Sequence, residues 1–309
     1  MKLSVSTSSV FGALGIDEGF KTLKEAGFDA VDLGLDNSYK WEDLCNGKKN
    51  DFYDDENIYP YIEKIKAASE KYGVEIGQTH APFPIYFSRS QQSTINCQAD
   101  ARKTVELTGL LGCHCIVIHP IYADSARFPA LTKKQEYDLN IEFYTSLIPL
   151  LKKYNITCCL EDLGAGDWKT GKTYAGVCAD IHETIKYIDD LNAIAGEKLF
   201  GFCLDIGHLL LFGQDPCYWM EELGDRIAAL HVHDNSGSTD DHNMPYMGCC
   251  NWDRVVLGLR KIGYKGNFNL ETGYYYTKFP TELYGAASKL LASVGKYFIS
   301  RITAEEDKK

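Results

Sequence analysis

Short apolar runs alternate along this chain with longer stretches in which apolar residues recur at helical spacing. The runs LSVST (3–7), DAVDLGL (29–35), VEIGQTH (74–80), CIVIH (115–119), ITCCLE (156–161), KLFGFCLD (198–205), RIAALHVHD (226–234) and NFNLE (267–271) read as eight buried strands. A strand covered on both faces is nearly continuous in apolar residues, as these are. The intervening spacing predicts helices over 17–26, 60–72, 92–111, 133–154, 178–190, 251–262 and 281–299, with a short helical stretch at 218–223. Asp17 suits an N-cap, Pro60 a first helical position, and Gly27, Gly73 and Gly263 the stops. The polar, aromatic segment 39–59 and the Gly-rich GAGDWKTGKTYAG (164–176) are predicted as loops. The charged tail 304–309 is predicted to fray.

Six of these runs carry a metal-ligating side chain where the strand gives out: His80, His119, Glu161, Asp205, His231 and Glu271. Successive members of the set are 39, 42, 44, 26 and 40 residues apart. One polar residue at a strand end means little. Six in series mean a ring of strands aiming their ligands at one place, as at the C-terminal mouth of a (β/α)8 barrel. The expected fold is therefore α/β, a (β/α)8 TIM barrel in a single domain over 1–303. An open doubly wound sheet would need a Gly-rich phosphate turn after the first strand, and STSSVFGALG does not supply it.

Composition narrows the partners. The net charge of −11 disfavours a phosphodiester backbone as ligand, so no nucleic acid is expected. No run approaches the roughly 18 apolar residues that span a bilayer, so no membrane partner is expected either. The opening MKLSVSTSSV lacks the apolar core of a signal peptide. Of the 11 cysteines, several sit inside apolar runs, where Cys acts as a small hydrophobe. A reducing cytoplasm is the expected compartment. Homo-oligomerisation stays open.

The chemistry is concentrated at the strand ends. A carboxylate such as Glu161 at the end of a buried run must be paired, hydrogen-bonded or metal-bound. Asp205 and His208 stand three apart at a strand-to-helix junction, where Asp205 also suits an N-cap. His231 and His233 alternate, so both face inward if the strand continues to Asp234; otherwise His233 lies on the loop above and Asp234 could orient a ligand imidazole. Asp240 and His242 form a D-x-H pair on the next loop. Of eight histidines, five (80, 119, 208, 231 and 242) fall at or past a strand end, crowding one rim. Mixed oxygen and imidazole donors suit Zn²⁺ or Mn²⁺ better than Ca²⁺. Phe83, Trp168 and Trp252 lie on rim loops and are candidates to wall a pocket.

THAP (79–82), VIHP (117–120), LED (160–162), CLDIGH (203–208), LHVHD (230–234), DDHNMPYMG (240–248) and the run from Trp252 to Gly266 leading into LET (270–272) together resemble the xylose isomerase-like TIM-barrel superfamily. That superfamily embraces sugar (phosphate) isomerases and epimerases, inosose dehydratase-like enzymes and zinc-dependent abasic-site endonucleases. The resemblance to the epimerase branch implies one divalent cation held by Glu161, Asp205, His231 and Glu271, with Glu161 and Glu271 as the catalytic acid/base pair. Resemblance to the endonuclease branch implies further metal or substrate contacts at His80, His119, His208, Asp240 and His242, all of which are present. The isomerase branch often carries an Arg soon after the seventh-strand His. Here the loop reads NSGSTDDH, without one.

The expected function is a metal-dependent isomerase or epimerase acting on a sugar, sugar phosphate or inositol derivative. It would work by proton transfer through a metal-stabilised enediolate, with a small sugar or polyol as substrate. The alternative is an abasic-site endonuclease-like phosphodiester hydrolase.

Overall fold

Each parallel strand pair needs a crossover to bring the chain back, and the amphipathic stretches supply it as helices. A computed structural model describes residues 1–35, 39–122, 131–167, 170 and 172–304. Trp168 and the tail beyond Ala304 lie outside the described residues. Among the described residues there are ten strands: β1 (Leu3–Ser6), β2 (Ala30–Gly34), β3 (Glu75–His80), β4 (Cys115–Val117), β5 (Thr157–Glu161), β6 (Gly164–Asp167), β7 (Lys172–Ala175), β8 (Phe200–Asp205), β9 (Ile227–His231) and β10 (Phe268–Leu270). Eight of them form one parallel sheet in the order β10-β1-β2-β3-β4-β5-β8-β9. A parallel bridge between Val232 and Leu270 joins its two edges. There the Val232 amide donates to the Asn269 carbonyl at 2.9 Å and the Glu271 amide to the Val232 carbonyl at 3.1 Å. The fold is a TIM barrel.

Strand alternation sorts the side chains into two environments. Leu3, Val5, Val31, Leu33, Leu160, Phe202, Leu204, Leu230, Phe268 and Leu270 belong to the main core, which includes the helices' apolar faces. The residues two before each strand-end ligand share that ligand's inward face and form a layer beneath it: Gln78, Val117, Cys159, Cys203, Ala229 and Asn269. Within this layer Val117, Cys159, Cys203 and Ala229 make a small apolar cluster. Gln78 and Asn269 instead both donate to Asp32 of β2. The barrel floor is thus small and apolar on one flank and hydrogen-bonded on the other.

Most predicted helices are present within a few residues of their expected ends, and the short helices Ser8–Leu14 and Ile206–Leu211 come in addition. The helix predicted from Pro60 begins at Asp55 and runs to Tyr72, with Pro60 inside it. Asp55 and Glu56 occupy its first turn, where carboxylates are favoured by the helix dipole. The segment 39–59 is not a bare loop: it holds a short helix, Trp41–Cys45, and a 3-10 turn, Asp51–Tyr53. The helix Lys133–Tyr154 matches its predicted span and opens with a reciprocal Thr132–Gln135 capping box. The last helix runs Tyr284–Thr303.

One predicted loop is corrected outright. The Gly-rich stretch after β5 folds as an antiparallel hairpin, β6 against β7. Gly164 lets the strands close up: a Cβ there would stand 2.8 Å from the Thr173 methyl. Glycine's weak strand propensity hid the pairing. Trp252, expected on the rim, is buried at 4% exposure. Its ring packs on Phe298 at 5.1 Å between centroids and its indole N–H donates to Asp234.

Candidate metal centre

Where the inward-facing strand residues run out at the C-terminal mouth, nine predicted site residues converge. Glu161 Oε1, from the end of β5, lies 2.7 Å from His231 Nδ1 at the end of β9. That nitrogen is also 3.4 Å from Glu271 Oε2 and 3.9 Å from Asp205 Oδ2. Glu161, Asp205, His231 and Glu271 each offer a ligand atom within 4.8 Å of the other three.

Two further groups adjoin this one. His80 Nε2 and His119 Nε2 are 3.1 Å apart, and lie 3.5 Å and 2.9 Å from Glu161 Oε2. His208, Asp240 and His242 gather on the other flank with His233, whose imidazole stacks on His242 at 4.0 Å. His119 and Glu271 stand just past their strands, since the ladders stop at Val117 and Leu270. The site therefore straddles strand ends and the first loop residues.

Three histidines are held in the same manner. The Nδ1 atoms of His80, His208 and His242 lie 2.9, 2.6 and 3.1 Å from the backbone carbonyls of Ala81, Asp162 and Glu271. Each ring is thereby fixed with Nδ1 as donor and Nε2 turned towards the cluster, an arrangement typical of ligating imidazoles. Asp205 acts twice. One oxygen caps the helix Ile206–Leu211 by accepting from the His208 amide at 2.8 Å, while Oδ2 faces His231.

The electrostatics follow from burial against pairing. Burial favours the neutral form of Glu161, but the imidazoles of His231 and His119 overcome it and hold the carboxyl well below its ordinary range. Asp205 is likewise drawn down, to about 2, against its burial, by His208 and His233. Glu271 goes the other way: burial raises it despite His231 and His242. His231 and His208 are raised well above the usual imidazole value, because buried carboxylates outweigh the cost of burying the cation. Burial lowers His119.

The centre opens into a cavity of about 320 Å³. Glu161, His208, Asp240, His242 and Glu271 line it together with Phe83, Tyr122, Leu163, Leu211 and the β6–β7 hairpin. Phe83 is thus on the pocket wall as the sequence suggested, stacked parallel on Tyr122.

Residues 20–294 match the family described as xylose isomerase-like TIM barrel. The chain belongs to that family. A relative in Methanocaldococcus jannaschii, an uncharacterised protein, is 28% identical over 283 residues, covering 88% of this chain and 83% of its own. Among solved structures, a D-tagatose 3-epimerase-like protein superposes with a TM-score of 0.71 at 21% identity, covering 98% of both chains. The IOLI protein, solved with a binding zinc atom, superposes with a TM-score of 0.70 at 15% identity, covering 99% of this chain and 100% of its own.

A metal-binding role for this member of the xylose isomerase-like family is consistent with its donor atoms. Glu161 Oε2 is buried and makes no aligned hydrogen bond. Carboxylate and imidazole donors converge around it. Carboxylate oxygen and imidazole nitrogen are donor types that zinc and divalent first-row metals accept.

Two readings of β9 and its loop are resolved. His233 is fully buried and belongs to the cluster, with Nε2 3.0 Å from Asp205 Oδ1. The alternation of LHVHD carried that signal. Asp234 does not orient an imidazole. It fastens the loop, accepting from the amides of Asn235, Tyr246 and Cys250 and from the Trp252 indole. Cys203, legible only as a core cysteine, also lies within ligand reach of Glu161 and His231.

Proposed function

We propose that the protein is a divalent-metal-dependent sugar isomerase or epimerase, with Zn²⁺ or Mn²⁺ at Glu161, Asp205, His231 and Glu271. The observation that carries this is the convergence of those four side chains at the C-terminal mouth, with Glu161 and Glu271 lining a pocket about the size of a small-molecule site. The epimerase-like and zinc-containing proteins of the same fold support it. A cation there supplies a Lewis acid that polarises a substrate carbonyl.

The chain's own groups do the rest. Glu161 and Glu271 have environments that push their proton affinities apart, which is how two carboxyls take unlike roles. One removes the proton from the carbon beside the carbonyl, leaving an enediolate, and the other returns a proton. Delivery to the opposite face gives the epimer, and delivery to the neighbouring carbon gives the aldose–ketose isomer. His80 and His208, anchored at Nδ1, hold substrate hydroxyls or the developing oxyanion. Phe83 and the hairpin shelter the reaction from water. Residues 1–303 act as one unit on an unattached sugar or polyol in the cytoplasm. All eleven cysteines are free, as a reducing compartment requires. Among the described residues, no helix is long and apolar enough to cross a membrane.

A second reading is metal-assisted phosphodiester hydrolysis of the abasic-site endonuclease kind. The specific observation in its favour is that the His80–His119–Glu161 and His208–His233–Asp240–His242 groups flank the first, so that more than one ion has donors. The net charge of −11 opposes duplex binding. The deciding experiment joins elemental analysis of the purified protein with turnover assays on ketoses, aldoses, their phosphates and inositol-derived ketones. Carbon-bound proton exchange with solvent on any of these supports the first reading. Cleavage of abasic duplex without such exchange would overturn it.

A further inference from the structure

His231 is the exception among the ligating histidines. His80, His208 and His242 each have Nδ1 against a backbone carbonyl and turn Nε2 to the cluster. His231 is reversed: Nδ1 faces Glu161, Asp205 and Glu271. Its far nitrogen, Nε2, points down the barrel to Asp32 Oδ2 at 3.2 Å.

Asp32 is itself an unusual residue for a barrel floor, a carboxylate at 2% exposure on the middle of β2. It has no Lys or Arg partner among the described residues. The Gln78 and Asn269 amides donate to the same Oδ2 atom at 3.0 and 2.9 Å, and both are buried. These two occupy the positions directly beneath His80 and Glu271 on their strands. Three strands therefore hold one oxygen against the back of one imidazole. The Nε2–Oδ2 approach is not aligned as a full hydrogen bond. In a buried layer the attraction of a carboxylate 3.2 Å from a ring nitrogen is nonetheless substantial.

We propose that Asp32 is the positioning residue of the metal-binding imidazole. It keeps the His231 proton on Nε2, leaves the Nδ1 lone pair free for the cation, and makes that nitrogen a stronger donor. Gln78 and Asn269 act on the metal through Asp32, by fixing its oxygen. This rests on the reading of Glu161, Asp205, His231 and Glu271 as a metal site. It adds a fifth residue, from a strand that contributes no ligand.

The test uses zinc alone, titrated into the metal-stripped full chain against a chromogenic chelator, for wild type, Asp32→Asn, Asp32→Ala and His231→Ala. Circular dichroism and thermal melts of the stripped proteins check that each folds. Both Asp32 variants are expected to weaken zinc binding, by roughly 10–100-fold for the alanine. Asp32→Asn is expected to lose less, because its amide oxygen can still accept from Gln78, Asn269 and the ring. The ¹⁵N signals of His231, assigned by their loss in His231→Ala, should report a proton on Nε2 in the zinc-loaded wild type. Affinity within twofold of wild type in both folded Asp32 variants overturns the proposal, and so does wild-type affinity in His231→Ala. A zinc-bound His231 carrying its proton on Nδ1 does so as well. Failure of the wild type to bind zinc or manganese overturns the metal reading itself, and this proposal with it.

Discussion

Glu161 Oε1 and His231 Nδ1 face each other at 2.7 Å, with neither side chain reaching solvent. They come from β5 and β9, which are separated in the sheet by β8. Among the described residues, Glu161 belongs to three of the four groups that could hold an ion, and links the His80–His119 pair to Asp205, His231 and Glu271. Glu161→Gln keeps the shape and removes the charge. It is expected to lower bound metal per chain and to cut turnover by at least about 10²-fold, with the fold retained. Glu271→Gln should cut turnover similarly but release less metal, since Glu271 serves one group only. Equal metal content in wild type and Glu161→Gln would remove Glu161 from the centre.

Metal affinity should rise with pH. His231 is raised well above the ordinary imidazole value, with the carboxylates around it outweighing burial. A cation entering the site must displace the proton on its Nδ1. Acid therefore favours the protonated, ion-free centre, and affinity falls as pH drops through and below neutrality. Competition titrations with zinc at pH 6, 7 and 8 check the sign. A flat or falling affinity over that interval contradicts this account of the charges.

Most of the centre was legible in the sequence because two local signals coincided. A buried strand is a short apolar run, and a polar ligand that ends such a run is conspicuous. Glu161, Asp205 and His231 stood out on that basis. Asp32 did not, because its significance lies in a contact with His231 across the barrel, and nothing within DAVDLGL announces it. The β6–β7 hairpin was missed for a related reason: Gly164 and Gly166 lower strand propensity, and only the pairing with β7 stabilises the extended form. Trp252 was a candidate for the pocket wall and Asp234 a candidate partner for an imidazole, and neither stands there. Loop geometry turns both inward to each other, and that geometry depends on Gly248, where a Cβ would stand 2.4 Å from Asp234 Oδ1.

Asp100 offers a stability test away from the centre. Burial pushes its carboxyl up to about 6, although the Tyr39 hydroxyl donates to it at 2.7 Å. A carboxyl raised on folding favours the native state below its ordinary value of 3.8, and that contribution is lost as pH rises through about 6. The displacement corresponds to roughly 3 kcal/mol, reduced to about 1–2 kcal/mol for partial exposure and screening. Asp100→Asn should therefore stabilise the protein at pH 7 and give little gain at pH 4. Urea unfolding of both proteins at the two pH values measures the difference. A gain of the same size at both would show that ionisation is not its cause.

Gly207 makes room for the stacked His233–His242 pair. A Cβ on Gly207 would fall 1.8 Å from His233 Cε1, an overlap that no rotation of a methyl relieves. The ring cannot simply retreat, because it is fully buried, stacked on His242 and paired to Asp205. Gly207→Ala is expected to cost about 1–3 kcal/mol as an overpacking change and to push His233 away from Asp205. Since Asp205 also faces His231, the substitution should weaken metal binding along with stability. His233→Ala in the same background removes the overlapping ring. It should recover part of the lost stability without restoring the contact to Asp205. Denaturant midpoints for Gly207→Ala, His233→Ala and the pair test this. Strictly additive losses would show that the glycine and the histidine do not meet.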